Sequence, residues 1–235
     1  MLIAQITDLH IDNNVSELSH IDARANALAV LDQLQKQNVR QLALTGDIAE
    51  THEGAEWFLG QVEQRDFQYR VIMGNHDVVE PFLQRNLLKP KPYFVEEMEG
   101  FRMFFLDSAN YWVDPAQLAW LEEQLARTKL EILVFIHHPV LDCGGTMMDT
   151  RYPLQNRSEV LRILSESQRE INLFCGHYHL EAVIKHNRIT QHVTPSTLYQ
   201  LKKYSDHPET ENETIGYRLI SLANGKLETS VAYLE

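Results

Sequence analysis

Five short segments rich in apolar residues are each followed at once by a cluster of polar residues. The segments cover residues 2–7, 40–45, 69–73, 132–136 and 171–175. Segments of this length bounded by polar residues are typical of buried strands. Apolar residues at helical spacing separate the first three, over residues 21–37 and 53–64. Strand–helix–strand order favours parallel pairing with right-handed crossovers, which would bring the polar clusters to one sheet edge.

The remainder of the chain predicts a second group of strands. Residues 93–97 and 101–107 are strand-like and join through Glu99-Gly100, a hairpin signal. Asp114-Pro115 predicts a helix start, and another helix is expected over residues 159–166. Strands and turns follow from Ala182 and end in a hairpin across Asn224-Gly225.

These patterns together predict one domain over residues 1–235 with a mixed α/β fold. We expect a four-layer αββα sandwich, in which two mixed β-sheets pack together and helices flank them on the outside. The early half of the chain should pair mostly in parallel and the late half mostly antiparallel.

Composition limits the partners that the chain can bind. The net charge is −12, from 21 basic and 33 acidic residues. An acidic surface repels long nucleic acids and anionic membranes, so we expect neither as a partner. No run of 18 apolar residues occurs and the first ten residues lack a basic leader, which predicts a cytoplasmic protein. We expect Cys175 in the core and Cys143 on an exposed loop.

The polar clusters carry carboxylate, amide and imidazole groups, which are the oxygen and nitrogen donors of metal sites. They are Asp8 and His10, Gly46-Asp47, Gly74-Asn75-His76-Asp77, His137-His138, and His177 and His179. Taken singly, the first three could be a strand-end turn, a helix N-cap and a plain turn. Together they offer seven ligands without a thiolate. That number is too many for one ion and suits two ions of Mn, Fe, Zn or Co that share a bridging carboxylate.

The order of these motifs resembles the calcineurin-like metallophosphoesterases. All five blocks are present in order across residues 1–180. Further features resemble the class III cyclic-nucleotide phosphodiesterase and glycerophosphodiesterase branch of that family. They are His137-His138-Pro139, Gly144 to Met147, Asp149 and Thr194 to Thr197.

The resemblance implies a role for each matching residue. Asp8, His10, Asp47 and His179 would hold one ion, and Asp47, Asn75, His137 and His177 the other, so that Asp47 bridges. His76 would be the catalytic histidine beside the scissile phosphate, assisted by Asn75. His138 matches no ligand position. We expect it either to contact substrate, together with Met147 and Tyr199, or simply to pack beside the site.

The expected activity is hydrolysis of a small phosphodiester such as 3′,5′-cyclic AMP by in-line attack of a metal-bridging hydroxide. A glycerophosphodiesterase and a phosphomonoesterase or nucleotidase remain alternatives within the same fold. A non-catalytic scaffold is the alternative from another class, but scaffolds can lose ligands and none is missing here. Ile48-Ala49-Glu50 after Asp47 disfavours a protein phosphatase. The substrate is a small molecule, and the chain could be a monomer or a homodimer.

Overall fold

A computed structural model of the chain describes residues 1–88, 90–223 and 225–234. Its strands are β1 (Leu2–Ile6), β2 (Gln41–Thr45), β3 (Gln68–Ile72), β4 (Phe94–Met98), β5 (Phe101–Leu106), β6 (Glu131–Ile136), β7 (Ile171–Cys175), β8 (Ala182–His186), β9 (Ile189–Val193), β10 (Gln200–Leu201), β11 (Thr210–Asn212), β12 (Ile215–Ala223) and β13 (Lys226–Leu234). Its α-helices are α1 (Ala23–Lys36), α2 (His52–Gln64), α3 (Glu80–Gln84), α4 (Pro115–Arg127), α5 (Met147–Arg151) and α6 (Arg157–Ser165), and a 3₁₀ turn covers Ser16–Leu18.

The first sheet has the strand order β13-β12-β1-β2-β3. Its three strands from the early chain, β1, β2 and β3, run parallel, as the strand–helix–strand order predicts. β12 pairs antiparallel with β1 and with β13, so the sheet is mixed. The hairpin expected at Asn224-Gly225 joins β12 to β13 with Ala223 opposite Lys226, although Asn224 itself lies outside the described residues.

The second sheet has the strand order β4-β5-β6-β7-β9-β8. β5, β6, β7 and β9 run parallel, and among the described strands of this sheet only the two edge pairs are antiparallel. The late half of the chain is nevertheless mostly antiparallel, as predicted, because β8, β10, β11, β12 and β13 all pair antiparallel. α4 connects β5 to β6, and α5 and α6 connect β6 to β7, so helical crossovers produce the parallel pairing within this sheet.

The two sheets pack face to face, and alternate residues of each strand supply the interface. Ile3, Ala43 and Ile72 of the first sheet share one core with Phe105 and Phe135 of the second. Residues on the opposite faces pack against helices, with α1 and α2 on the first sheet and α4 and α6 on the second. The predicted four-layer αββα sandwich is confirmed, and in it the carboxyl ends of the parallel strands lie at one edge.

Short-range signals fix several helix ends. Asp114 caps α4 by accepting a hydrogen bond from the amide of Ala116, and Pro115 occupies the first helical position, as predicted. The five-residue helices α3 and α5 were not predicted, because they are too short for a helical period to show.

In the part of the chain that is described, no helix is long and apolar enough to cross a membrane.

The two cysteines are both buried, which contradicts the expectation for one of them. Cys175 lies in the core as predicted, with 0% of its surface exposed. Cys143 was expected on an exposed loop but is also 0% exposed. The segment that follows it folds back as α5, and the Cys143 amide donates to the buried carboxylate of Asp149 at 3.0 Å.

Candidate metal centre

The loops that follow β1 and β2 pair with each other and form the floor of the centre. The amide of Asp8 donates to the Gly46 carbonyl at 3.0 Å, and the amide of His10 donates to the Asp47 carbonyl at 2.9 Å. Across the sandwich, the amide of His177 donates to both oxygens of Asp8, at 3.1 and 2.9 Å. Polar groups from both sheets therefore converge at this edge, as the sequence predicts.

Each of the four predicted histidine ligands has one ring nitrogen held by a neighbouring acceptor. His10 Nδ1 lies 2.9 Å from Glu50 Oε1, and His179 Nδ1 donates to the Tyr199 carbonyl at 3.2 Å. These contacts direct the Nε2 atoms of both rings into the centre, where they lie 3.1 Å apart. Two ring nitrogens at that separation suit a shared ion, since metal-bound histidines commonly donate their other nitrogen to a carboxylate or a carbonyl.

The two remaining histidines are held in the same manner. His137 Nδ1 donates to the Thr45 carbonyl at 2.8 Å, which leaves Nε2 pointing inward, 3.3 Å from Asp47 Oδ2. His177 reverses the pattern. Its Nε2 donates to the Tyr152 carbonyl at 3.0 Å, so Nδ1 is the free nitrogen. Each of the four rings thereby has one nitrogen engaged by a neighbouring acceptor and the other available to a ligand.

The donor atoms group around two carboxylates. Ligand atoms of Asp8, His10 and His179 lie within 4.8 Å of one another, and so do those of Asp8, Asp47 and His137. Asp47 Oδ2 is 3.6 Å from His10 Nε2 as well as 3.3 Å from His137 Nε2, so this oxygen faces both groups. That position is the one a bridging ligand requires.

Buried polar atoms without partners indicate that cations belong here. Asn75 Oδ1 and His137 Nε2 are buried and make no hydrogen bond. Such atoms are costly unless a ligand satisfies them. Burial raises the pKa of the Asp47 carboxyl, but His137 and His10 beside it bring that pKa to well below its ordinary value. The residues therefore fit a pair of metal ions, and the fold and these clusters imply divalent metal.

Two glycines are required because the carboxylates approach their backbone closely. A Cβ atom on Gly74 would lie 2.2 Å from Asp47 Oδ1, and one on Gly176 would lie 2.4 Å from Asp8 Oδ2. Backbone strain is concentrated at the same edge, since five of the proposed ligands have positive φ. These are Asp8, His10, Asp47, His177 and His179, with φ between 45° and 66°.

His76 lies at the open side of the centre. Its side chain is 50% exposed, its Nδ1 lies 3.5 Å from Glu50 Oε1, and its ring centroid is 5.0 Å from that of His10. The carboxylate of the neighbouring Asp77 accepts from the amides of Ile48, Ala49 and Gly74, and so joins the loops that follow β2 and β3.

A cavity of about 270 Å³ opens above the centre. Its lining residues come from both metal groups and from several loops, and they are His10, Asn13, Val15, Leu18, Asp47, Glu50, His76, Tyr111, Met148, Tyr152, His177, His179, Tyr199, Leu201 and Pro208. Burial raises the pKa of the Tyr111 and Tyr199 phenols to about 12, so both remain protonated donors.

Of the three residues predicted to contact substrate, Tyr199 lines this cavity. Met147 instead packs in the core of the second sheet, and its neighbour Met148 faces the cavity. His138 is fully buried beneath the Tyr111 and His177 rings, and its Nδ1 lies 2.9 Å from Ser108 Oγ. Its ligand atom also lies within 4.8 Å of those of His137 and His177, and its Nε2 is buried without a hydrogen bond.

The residues that hold the histidines were not identified from the sequence. Glu50 follows Asp47 by three residues, and that spacing is the only signal that could have singled it out. Thr45, Tyr152 and Tyr199 contribute backbone carbonyls, which every residue type possesses. The sequence therefore cannot indicate which backbone carbonyls hold the histidine rings.

The chain belongs to the calcineurin-like phosphoesterase family, whose model matches residues 1–181. It is therefore by class a phosphoric ester hydrolase, and the resemblance predicted from the five motifs is confirmed.

Relatives narrow the branch. A probable cyclic nucleotide phosphodiesterase of Fibrobacter succinogenes is 32% identical, over 98% of this chain and 93% of the relative. A protein of Enterobacter lignolyticus called glycerophosphodiester phosphodiesterase GpdQ is 26% identical, over 86% of this chain and 79% of the relative. A solved dimetal phosphatase from Danio rerio has a TM-score of 0.68 at 15% identity, over 97% of this chain and 98% of that one, which shows the shared fold.

Proposed function

We propose that this chain is a metal-dependent phosphodiesterase that hydrolyses a small phosphodiester such as 3′,5′-cyclic AMP. The observation that carries the proposal is the arrangement of two donor groups on either side of Asp47, directly beneath a cavity lined by apolar and tyrosine side chains. Relatives named as cyclic nucleotide and glycerophosphodiester phosphodiesterases support the same chemistry.

The proposed ligands divide as the motifs imply. Asp8, His10, Asp47 and His179 would hold one ion, and Asp47, Asn75, His137 and His177 the other. When bound, two such ions neutralise the charge of a phosphate and lower the pKa of water towards 7. Because the ligands come from loops at the ends of both sheets, we propose further that residues 1–235 act as a single domain.

His76 is the residue we propose for proton transfer to the leaving oxygen. It lines the cavity, and its Nδ1 faces the carboxylate of Glu50. Because Nδ1 faces that carboxylate, Nε2 is the ring nitrogen that can donate to an oxygen in the cavity. Asn75 has a second role open to it, since its amide nitrogen can donate to a phosphate oxygen while Oδ1 binds metal.

The cavity favours a small diester that carries a flat, uncharged group. Val15, Leu18, Met148 and Leu201 provide apolar surface, and tyrosine side chains provide aromatic faces and hydroxyl donors. A nucleobase can use both kinds of surface, whereas glycerol can use only the donors. These lining residues support a cyclic nucleotide over a glycerophosphodiester as the proposed substrate.

Hydrolysis after loading with Mn²⁺ tests the proposal. Bis-(p-nitrophenyl) phosphate, p-nitrophenyl phosphate and 3′,5′-cyclic AMP would be compared in parallel. Preference for the diester together with turnover of cyclic AMP is the expected result. Diester activity without cyclic AMP turnover would favour glycerophosphodiesters, and preference for the monoester would favour a nucleotidase. A metal-loaded protein that hydrolyses none of them would contradict the proposal.

A further inference from the structure

We propose that Asp149 is a positioning residue which sets both the substrate wall and the orientation of His177, through the segment of residues 142–152 that it holds in place. The inference rests on the proposed metal centre. It concerns a residue that lies outside every proposed ligand set and does not line the cavity.

Asp149 is 3% exposed and gathers hydrogen bonds from its own segment. Its carboxylate accepts from the amide of Cys143 at 3.0 and 3.1 Å and from the amide of Thr146 at 2.9 Å. It also accepts from Thr146 Oγ1 at 2.8 Å, and that oxygen accepts in turn from the Asp149 amide at 3.1 Å. The bond from the Asp149 amide to Thr146 Oγ1 and the bond from the Thr146 amide to the Asp149 carboxylate together form a capping box, which begins α5.

Buried amide side chains anchor the chain on either side of this segment. The oxygen of Gln191 accepts from the amides of Val140 and Leu141 at 2.8 and 2.7 Å. Asn156 exchanges two hydrogen bonds with the backbone of Val113, at 3.0 and 2.9 Å. Both ends are thus fixed to the fold, and the carboxylate of Asp149 determines the path between them.

The segment of residues 142–152 contributes two side chains to the cavity wall and one backbone carbonyl to the centre. The side chains of Met148 and Tyr152 line the cavity. The carbonyl of Tyr152, which ends α5, accepts the hydrogen bond from His177 Nε2 at 3.0 Å. Any shift of α5 would move the cavity wall and release the His177 ring at the same time. Partners that orient a metal-bound histidine in this way typically change metal affinity by about 10- to 100-fold.

The converging donors explain why a carboxylate is needed. Oδ2 of Asp149 accepts both bonds from Thr146, whereas Oδ1 accepts from the Cys143 amide at 3.0 Å and lies 3.7 Å from Arg157 Nη1. An asparagine that keeps its oxygen at the Oδ2 position would therefore place an NH₂ group against the Cys143 amide and Arg157, where an acceptor is required. D149N thus replaces an acceptor by a donor beside two donors while it preserves shape. D142N is the matched control, because Asp142 lies in the same segment and a single oxygen accepts from the amides of Gly144 and Gly145, which asparagine can reproduce.

The test is a titration with Mn²⁺ alone, in competition with a chelator, followed by steady-state hydrolysis of bis-(p-nitrophenyl) phosphate. For D149N we expect one of the two ions to bind about 10-fold more weakly or worse, and KM to rise. Met148→Ala should raise KM and leave both metal affinities unchanged. D142N and Thr146→Ser should match the wild type in both measurements.

A folded D149N with wild-type metal affinity would overturn the proposal, and so would a D142N that is impaired as strongly as D149N. If D149N does not fold, Thr146→Val removes the hydroxyl partner alone and should weaken the same ion by a smaller factor. Wild-type metal affinity in that variant would also overturn the proposal. Metal binding is measured without substrate, so loss of the proposed function would show as wild-type binding without hydrolysis and would leave this inference standing.

Discussion

The proposed ligand side chains depend on residues that lie outside the proposed ligand sets. Asp8 and His10 can be identified from their spacing, because residues two apart on an extended segment point to the same side. Their backbone turns through positive φ instead, with values of 53° and 45°. Spacing therefore identified the residues but did not give their geometry, which depends on contacts such as the one between Glu50 and His10.

Replacement of His76 by alanine should separate catalysis from metal binding. The side chain is half exposed and belongs to neither proposed ligand set, so His76→Ala should bind both ions normally. Loss of the proton donor should lower kcat by about 10²- to 10⁴-fold. The measurement is kcat together with elemental analysis of bound metal.

Asp47→Asn is the contrasting variant. Because Asp47 is the proposed bridging ligand, its replacement should lower the amount of bound metal. A His76→Ala protein with wild-type kcat would show that another group transfers the proton. A His76→Ala protein that has lost an ion would show instead that His76 is a ligand.

His192 should make unfolding sensitive to acid. Burial, with Arg218 and Lys185 nearby, lowers the pKa of this ring from 6.5 to about 4. Between pH 6.5 and about 4, His192 therefore binds a proton in the unfolded chain but not in the folded chain. As a result the free energy of unfolding falls as the pH drops through this window, by up to about 1.4 kcal/mol per pH unit.

The measurement is urea unfolding at several pH values between 4 and 7, on the wild type and on His192→Gln. The variant retains a donor for Asn172, which accepts from His192 Nε2 at 3.2 Å. The wild type should lose more stability than the variant as the pH falls. Parallel curves for the two proteins would show that His192 does not cause the slope.

Among the helices, α4 shows how much of an element can be predicted from local sequence. Asp114 and Pro115 were identified as its cap and first residue, and both are found there. α5 could not be predicted in the same way, because its five residues depend on a buried carboxylate within the segment. The parallel order of β5, β6 and β7 was also missed, although the helices between them had been predicted and were sufficient to imply it.

Asp114→Ala should destabilise the protein without changing its chemistry. The exposed carboxylate satisfies the Ala116 amide at 2.8 Å, and loss of such a cap typically costs about 1 kcal/mol. For a chain of this size that corresponds to a fall of roughly 2–4 °C in Tm. Asp114→Ser retains an acceptor and should restore most of the loss in a thermal melt. Equal Tm values for the alanine and serine variants would contradict a capping role.

Charge acts at the scale of the whole molecule. The net charge is −12, and among the described residues that line the cavity none is lysine or arginine. A substrate with a second, terminal phosphate would therefore meet a negative potential without a compensating side chain. We expect kcat/KM for a 5′-phosphorylated dinucleotide to be roughly 10-fold lower than for the same dinucleotide without that phosphate.

Added salt should narrow this difference, because screening weakens repulsion between exposed charges. Val15→Lys at the cavity rim should also reduce the difference in kcat/KM between the two dinucleotides. Val183→Lys should leave that difference unchanged, because Val183 lies on the edge strand β8 and outside the cavity lining. Equal hydrolysis of the two dinucleotides by the wild type would show that the cavity does not discriminate by charge.

The centre draws its donors from both halves of the sandwich. Asp8, Asp47 and Asn75 follow strands of the first sheet, while His137 and His177 follow strands of the second. Bound ions would thus cross-link the two sheets at one edge. Ligands that bind only the folded chain stabilise it by mass action, so resistance to heat should rise with free metal and fall in a chelator. The edge at which the two sheets supply the proposed ligands would then contribute to thermal stability as well as to catalysis.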